Sequence, residues 1–491
     1  MMRSLYSGVS GLKNHQTRMD VVGNNISNVN TTGFKSSRVT FSDTLSQTLS
    51  GASAPTENRG GTNPKQIGLG SVTSAIDTLF TDGSVQSTGV NTDLCLSGNG
   101  LFIVKDGDLS YYTRNGNFKF DNKGYYVNSD GLKVQGWSAT TPGDAINTNG
   151  QPSEICIPAG KTMAASATTK ATFSSNLNAA EPMIKSITIT TADGKTETID
   201  NASKTKTVKV GEQYTPAAGG TASKIASLTL NMTDGTNTTE TEGSFTVGNS
   251  KPKTTIATVY DSLGNSHNVV IYMTKTGADN TGSKWQMSLA DVDIKNGTST
   301  ATLKDSNGND ITLSMINAEV TFNVNGGYDK GSGTTTLTLT NGAAGTQTVA
   351  LDFTALTQYA GSSTAFATTD GNAAGTLKSV SIDSSGVITG TYTNGLNVQE
   401  AQVAIAQFNN ASGLTKTGNS LYTESNNSGT PNIGTISDLG CTVTPSSLEM
   451  SNVDMASELT DMIVTQRGYQ SNSKIITVSD ELLETLINMK R

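Results

Sequence analysis

Apolar residues recur every seven positions at both ends of this chain and almost nowhere between. Leu5, Leu12, Met19 and Ile26 are spaced by seven, as are Met455, Met462, Tyr469, Ile476 and Leu483. A seven-residue apolar repeat keeps one seam of a helix facing a partner. The pattern predicts two terminal helices that pair as a coiled coil, in a subunit that assembles through its ends. The first helix should span residues 4–28, with Val9 and Val22 widening its apolar face and His15 on its polar side. Gly23, Asn24 and Asn25 are poor helix formers and weaken its last turns. The second should start after Pro445, with Ser451 and Asp454 marking its N-cap, and run to Met489. At roughly 1.5 Å per residue it would be about 55 Å long.

Between the helices the period changes from seven to two. Short apolar runs such as Val72–Phe80, Leu94–Leu96, Leu101–Val104, Tyr111–Thr113 and Leu132–Trp137 alternate with Asp-Gly and Asn-Gly pairs, which predicts strands and tight turns. Residues 41–70 are rich in Ser, Thr, Gly and Asn, contain Pro55 and Pro64, and read as an extended linker arm. Residues 170–370 are Thr-rich alternation. There Ser186-Ile-Thr-Ile-Thr-Thr-Ala-Asp193-Gly194 is echoed by Ser227-Leu-Thr-Leu-Asn-Met-Thr-Asp234-Gly235, either as related hairpins or as coincidence in low-complexity sequence. The expectation is a multidomain, mainly β chain with long terminal α-helices and nested, discontinuous domains. Residues 1–40 with 450–491 form the helical domain, 71–165 with 370–449 a β-rich middle domain, and 166–369 outer β structure.

Composition narrows the function. A chain of 491 residues is too long for one core. Charged residues are 15% and aromatics 5%, with 51 glycines, a balance typical of turn-rich surface-assembly proteins. The net charge of −8 comes without a basic cluster, which argues against nucleic-acid and anionic-membrane partners. Leu5–Leu12 is too interrupted by Ser and Gly for a signal-peptide core, and the longest apolar run, Val269–Met273, is far too short to span a bilayer. Cys95, Cys156 and Cys441 are odd in number and widely spaced, which argues against a disulfide framework and against zinc. Cys95 and Cys156 sit in strand-like apolar runs and read as buried small hydrophobes.

Catalytic chemistry is not visible. The two histidines, His15 and His267, lack a Cys or second His at ligand spacing, and no GxSxG, GxxxxGK[ST] or HExxH occurs. Asp305–Asp310 has the look of a calcium loop without an EF-hand's glycine position or terminal Glu, and reads as a solvated turn. The expectation is a structural protein without catalytic residues, cofactor or metal.

Val21-Val-Gly-Asn-Asn-Ile-Ser-Asn-Val-Asn-Thr-Thr-Gly-Phe-Lys35 closely resembles the signature of bacterial flagellar rod and hook proteins, and Ser451–Gln470 resembles their other signature. Phe80–Gly89, Tyr112–Phe118 and Gly124–Gly131 are similar to their shared β domain. Val259–His267 and Leu351–Tyr359 resemble the outer domain of the hook members of this axial family. Relative to that pattern residues 180–250 look like an insertion. The resemblance implies a polymerising hook subunit whose terminal helices line a tube that bends while transmitting torque. It also implies partners: the chain itself, the distal rod protein, the hook cap and hook-filament junction proteins, and the flagellar type III export apparatus. Location would be the extracellular hook, reached by export without a cleaved signal peptide. A rod or junction protein of the same family is the alternative, and a secreted β-rich adhesin would leave both heptads unexplained.

Overall fold

The first helix, α1 (Met2–Ser27), and the last, α2 (Met455–Asn488), lie side by side in a computed structural model, and the chain between them is almost wholly β. The structure describes residues 2–489 except 58, 142, 144, 201–206, 217–220, 280–281, 290–297, 305–307, 309, 317, 332, 339–342 and 344. The Asp305–Asp310 turn therefore lies largely outside the described residues. The chain divides into two units, Met1–Lys161 with Leu377–Arg491, and Thr162–Thr376.

In the first unit α1 stops at Ser27, where Asn28 closes the last turn through Asn24 O at 3.2 Å and Gly33 takes a positive φ of 66°. Residues 37–78 then form one long antiparallel ribbon. Ser37–Asp43 pairs with Ser71–Thr78, Ser46–Ser50 with Lys65–Gly68, and single bridges join Ser53 to Thr62 and Thr56 to Arg59. The stretch read from sequence as a linker arm thus occupies most of a hairpin. An antiparallel sheet follows, with Gly100–Asp106 between Lys133–Ser138 and Leu109–Thr113, and Asn397–Val403 and Val387–Tyr392 on the far side of Lys133–Ser138. Its core includes Leu94, Phe102, Phe118, Val134, Ile388 and Val403, all fully buried.

Cys95 and Cys441 are buried, but Cys156 is exposed, contrary to the sequence expectation. Alternation explains the difference: Ile155 and Ile157 both turn into the core, so the residue between them must face out. Burial, then the Glu449 charge, push the Cys95 thiol up to about 11.

In the second unit a six-stranded sheet containing Lys170–Asn178 and Thr346–Tyr359 shares one core with a five-stranded sheet containing Ser266–Asp279 and Gly282–Ser288. Phe173 and Phe353 from the first meet Ile271 and Trp285 from the second. Residues 184–249 carry a separate core that includes Ile187, Ile189, Leu228, Leu230 and Phe245. Both halves of the sequence echo are hairpins: Ile184–Thr191 returns as Thr196–Asp200, and Ser223–Met232 as Asn237–Glu240. Gly194 and Gly235 supply the positive φ of the two turns, and the first strands of the hairpins pair with each other. Register places Thr198, Thr188, Thr229 and Thr239 in one rank across four strands, on the face away from the core.

Candidate assembly interface

The pairing of α1 and α2 rests on small and polar residues. A Cβ on Gly8 would stand 3.3 Å from Ile476 Cγ1, one on Gly11 2.7 Å from the Asn472 carboxamide, and one on Gly468 2.6 Å from the His15 ring. The helices run antiparallel and so close together that the interface has no room for larger side chains. Arg18 pairs with Asp461 at 2.9 Å, and Asn25 donates to Glu458 Oε1 at 2.9 Å. Thr465 and Ser479 are buried in α2, each donating its hydroxyl to a carbonyl one turn back, Asp461 O and Ile475 O. That internal bond satisfies the hydroxyl and leaves a small neutral surface for close approach. His15 therefore faces α2, not the polar side, and its Nδ1 is buried without a partner. Burial, then the Arg18 charge, hold its imidazole below the usual value.

The cap of α2 also differs from expectation. Asp454, in extended backbone, accepts from Ala456 N at 3.0 Å and caps the helix by itself. A start at Ser451 is blocked because Asn452 is tied elsewhere: its Oδ1 accepts from Ser36 N at 2.8 Å and its Nδ2 donates to Leu79 O at 2.9 Å.

The predicted seams lie beside this contact. Leu5, Leu12, Met19, Ile26, Met462, Ile476 and Leu483 are half-buried, while Met455 and Tyr469 are 42% and 39% exposed. A strict seven-residue repeat drifts about 20° per heptad around a straight helix. At about 100° per residue, Met455, Met462 and Tyr469 stand roughly 80°, 60° and 40° to one side of Thr465, and the row drifts onto the α1-facing line at Ile476 and Leu483. Antiparallel helices turn in opposite senses when viewed from one end. The same geometry therefore sets the Leu5–Ile26 row on that same flank, where Leu459 adds to the apolar surface at 45% exposure.

A second apolar row, invisible as a heptad, occupies the opposite flank of α2. Val464, Ile475, Val478, Leu482, Leu486 and Met489 stand about 60° to 140° to the other side of Thr465. All six are more than 40% exposed. On this flank α1 is covered by the ribbon, with Asn14 Nδ2 donating to Ser71 Oγ at 2.7 Å, and α2 is open. The sequence signal for this row was its 3-4-4-3 spacing from residue 475 onward.

Among the described residues no three His, Cys, Asp or Glu side chains group as metal ligands. No helix among them is long and apolar enough to cross a membrane. His267 is held at 3.2 Å from the buried Asp261 carboxylate inside its own turn.

Four family models match along the chain: flagella basal body rod protein over residues 5–35, flagellar hook protein FlgE/F/G D1 domain over 95–195, flagellar basal body protein FlaE D2 domain over 234–372, and flagellar basal body rod FlgEFG protein C-terminal over 444–489. The flagellar hook protein FlgE of Treponema pallidum is 38% identical over 100% of both chains, and that of Escherichia coli is 31% identical over 98% of both. The chain belongs to the flagellar hook protein family. Both helices of this hook-family chain fall in matched terminal segments. The described residues of 196–233, between the D1 and D2 matches, lie in the region with its own core. A solved Helicobacter pylori flagellar hook protein FlgE2 superposes with a TM-score of 0.45 at 16% identity, covering 74% of this chain and 100% of its own.

Proposed function

We propose that this chain is the repeating subunit of a flagellar hook and polymerises through its paired helices into a tube. The observation that carries this reading is the arrangement of apolar surface: two different flanks of the helix pair keep apolar surface open, one made of half-buried residues with Met455 and Tyr469 exposed, the other of residues more than 40% exposed. Two unlike flanks on one subunit favour heterologous, head-to-tail contacts, which extend into open helical polymers when the rotation does not close. One flank is Leu5, Leu12, Met19 and Ile26 with Met455, Met462 and Tyr469; the other is the row from Val464 to Met489. Ile476 and Leu483 sit between flank and pairing face and serve both.

A joint that bends while passing torque needs neighbours that shift without a large penalty. Uncharged hydroxyl surfaces, such as the rank Thr198, Thr188, Thr229 and Thr239, meet that need better than apolar patches. In this role the chain meets a distal rod protein, a hook cap and hook-filament junction proteins, and leaves the cell through the flagellar export apparatus without a cleaved leader. A rod subunit is the second reading, favoured by 52% identity to the flagellar basal-body rod protein FlgG of Bacillus subtilis. That match spans only 33% of this chain, against full-length matches to hook proteins. Electron microscopy of concentrated purified protein tests the proposal: tubes or curved filaments support it, and a monomer at every concentration refutes it.

A further inference from the structure

Four stretches of the first unit meet in one small volume: the exit from α1, the end of the ribbon, the sheet, and the entry to α2. Lys35 is 0% exposed and Glu449 1%, and their Nζ and Oε1 are 2.6 Å apart. Lys35 Nζ also donates to Thr81 O at 2.6 Å, and Gly83 N donates to Glu449 Oε1 at 2.8 Å. Arg114, 1% exposed, donates to Leu96 O at 2.7 Å, pairs with Asp82 at 2.8 Å, and lies 3.7 Å from Glu449 Oε2. Gly33 N donates to Glu449 O at 2.8 Å, so the backbone after α1 is tied directly to the backbone before α2.

Stability alone does not account for this arrangement. A buried ion pair repays its desolvation only with excellent geometry, and apolar residues of the same volume often hold a fold as well or better. What the charges add is direction. Apolar contacts tolerate a slip of an ångström, whereas charge-assisted hydrogen bonds aimed at fixed carbonyls do not. Lys35 and Glu449 tie the two helix-bearing segments to each other and to the ribbon end at Thr81 and Gly83, and Arg114 links the sheet to that ribbon end and to Glu449.

We propose that Lys35, Glu449 and Arg114 are positioning residues that set the angle at which α1 and α2 leave the sheet, and through it the twist and rise of the polymer. The inference rests on the tube-forming reading above. The cluster lies apart from both apolar flanks, so it acts on polymer geometry without making an inter-subunit contact along them.

The test compares the parent with Lys35→Met, Lys35→Met/Glu449→Leu and Lys35→Arg, reading urea midpoint in the monomer and helical twist and rise in polymers by electron microscopy. Lys35→Met leaves the buried Glu449 carboxylate with only Gly83 N and the more distant Arg114, and should lower the midpoint. The double variant removes both charges and should recover most of that loss, yet polymerise with altered twist or rise. Lys35→Arg keeps the charge while displacing its donors, and should likewise change polymer geometry. Parental twist and rise in the double variant or in Lys35→Arg overturns the proposal, and failure of both to fold makes the cluster a stability element and overturns it too. A parent that forms no tubes refutes the assembly reading, and the joint with it. Parent tubes with unchanged variant tubes refute the joint alone.

Discussion

Leu482→Asp and Leu459→Asp each damage one flank of the helix pair, and together they test whether the two flanks meet. Leu482 is 51% exposed and Leu459 45%, so each substitution falls largely on open surface. Fully burying a leucine contributes about 1.5–3 kcal/mol, so covering the open half is worth roughly 1 kcal/mol. Placing an unpaired carboxylate in that contact adds a penalty of about 2–3 kcal/mol, at the low end of what a buried charge costs. The sum is about 3–4 kcal/mol, and at 1.4 kcal/mol per decade the concentration needed for polymerisation should rise roughly 10²- to 10³-fold. Leu482→Ala loses only the apolar term and should raise it about fivefold. Sedimentation and electron microscopy provide the assay. Each Asp variant alone should stay monomeric, with circular dichroism unchanged from the parent. Mixed in equal amounts, they should form dimers, because the intact flank of one fits the intact flank of the other. Dimers of a single variant would make the contacts isologous, and normal tubes from either variant would remove that flank from the interface.

Replacing residues 184–249 with a short Gly/Ser linker should leave the rest of the second unit folded and tube formation intact. Ile184 N donates to Asn249 O at 2.7 Å, so the cut ends are already adjacent, and the removed core is separate; loss of all tubes from a folded deletion variant would refute this. In the native protein a maleimide should label Cys156 quickly and spare Cys95 and Cys441 until denaturant is added, as mass spectrometry of the peptides can read. The depressed His15 value makes helix pairing pH-dependent: above about 6.5 the ring is neutral in both states, and as pH falls below that the unfolded chain takes up the proton first. Urea midpoints should therefore drop between pH 7.5 and 5 and flatten in His15→Gln; an unchanged slope would assign the effect to other groups. Gly11→Leu should separate the helices by forcing the Asn472 side chain aside, at a cost of about 1–3 kcal/mol, measurable by the same melts.

The periodicities were legible because they follow from burial on one face. Both helices, and strands such as Leu94–Ser97 and Lys133–Ser138, fall close to where the pattern puts them. What pattern could not resolve was which apolar row faces which neighbour. Leu5 and Met462 carry the visible heptads, yet the intrachain contact is made by Gly8, Gly11, His15, Thr465, Gly468 and Asn472, whose types read as breaks in an apolar run. Close approach depends on the absence of side chain, and an absence leaves no hydrophobic signal. Cys156 shows the same limit at the scale of one residue: a run of apolar residues looks uniformly buried until alternation assigns each to a face. The ties of Lys35 to Glu449 and of Ser36 to Asn452 span more than four hundred positions, and nothing in local spacing announces them.

The inversion of polarity in the helix pair links the monomer to its assembly. An ordinary two-helix coiled coil buries its leucines between its own strands and shows polar residues to water. Here the intrachain seam is largely hydroxyls, carboxamides and glycines, with Ile476 against Gly8, and although Val22 is buried, Leu459, Val464, Val478 and Leu482 leave apolar surface open. Such a pair gains little apolar burial from its own contact, and α1 carries Gly8, Gly11 and Gly23 at about 1 kcal/mol each of helix propensity. The helices should therefore be only marginally held in a free subunit, and in the proposed assembly covering both flanks would supply the missing stabilisation by mass action. Order in the termini and growth of the polymer become one equilibrium. A folded β body can then remain soluble at low concentration, and its helical ends should gain most of their stability where neighbouring subunits are at hand.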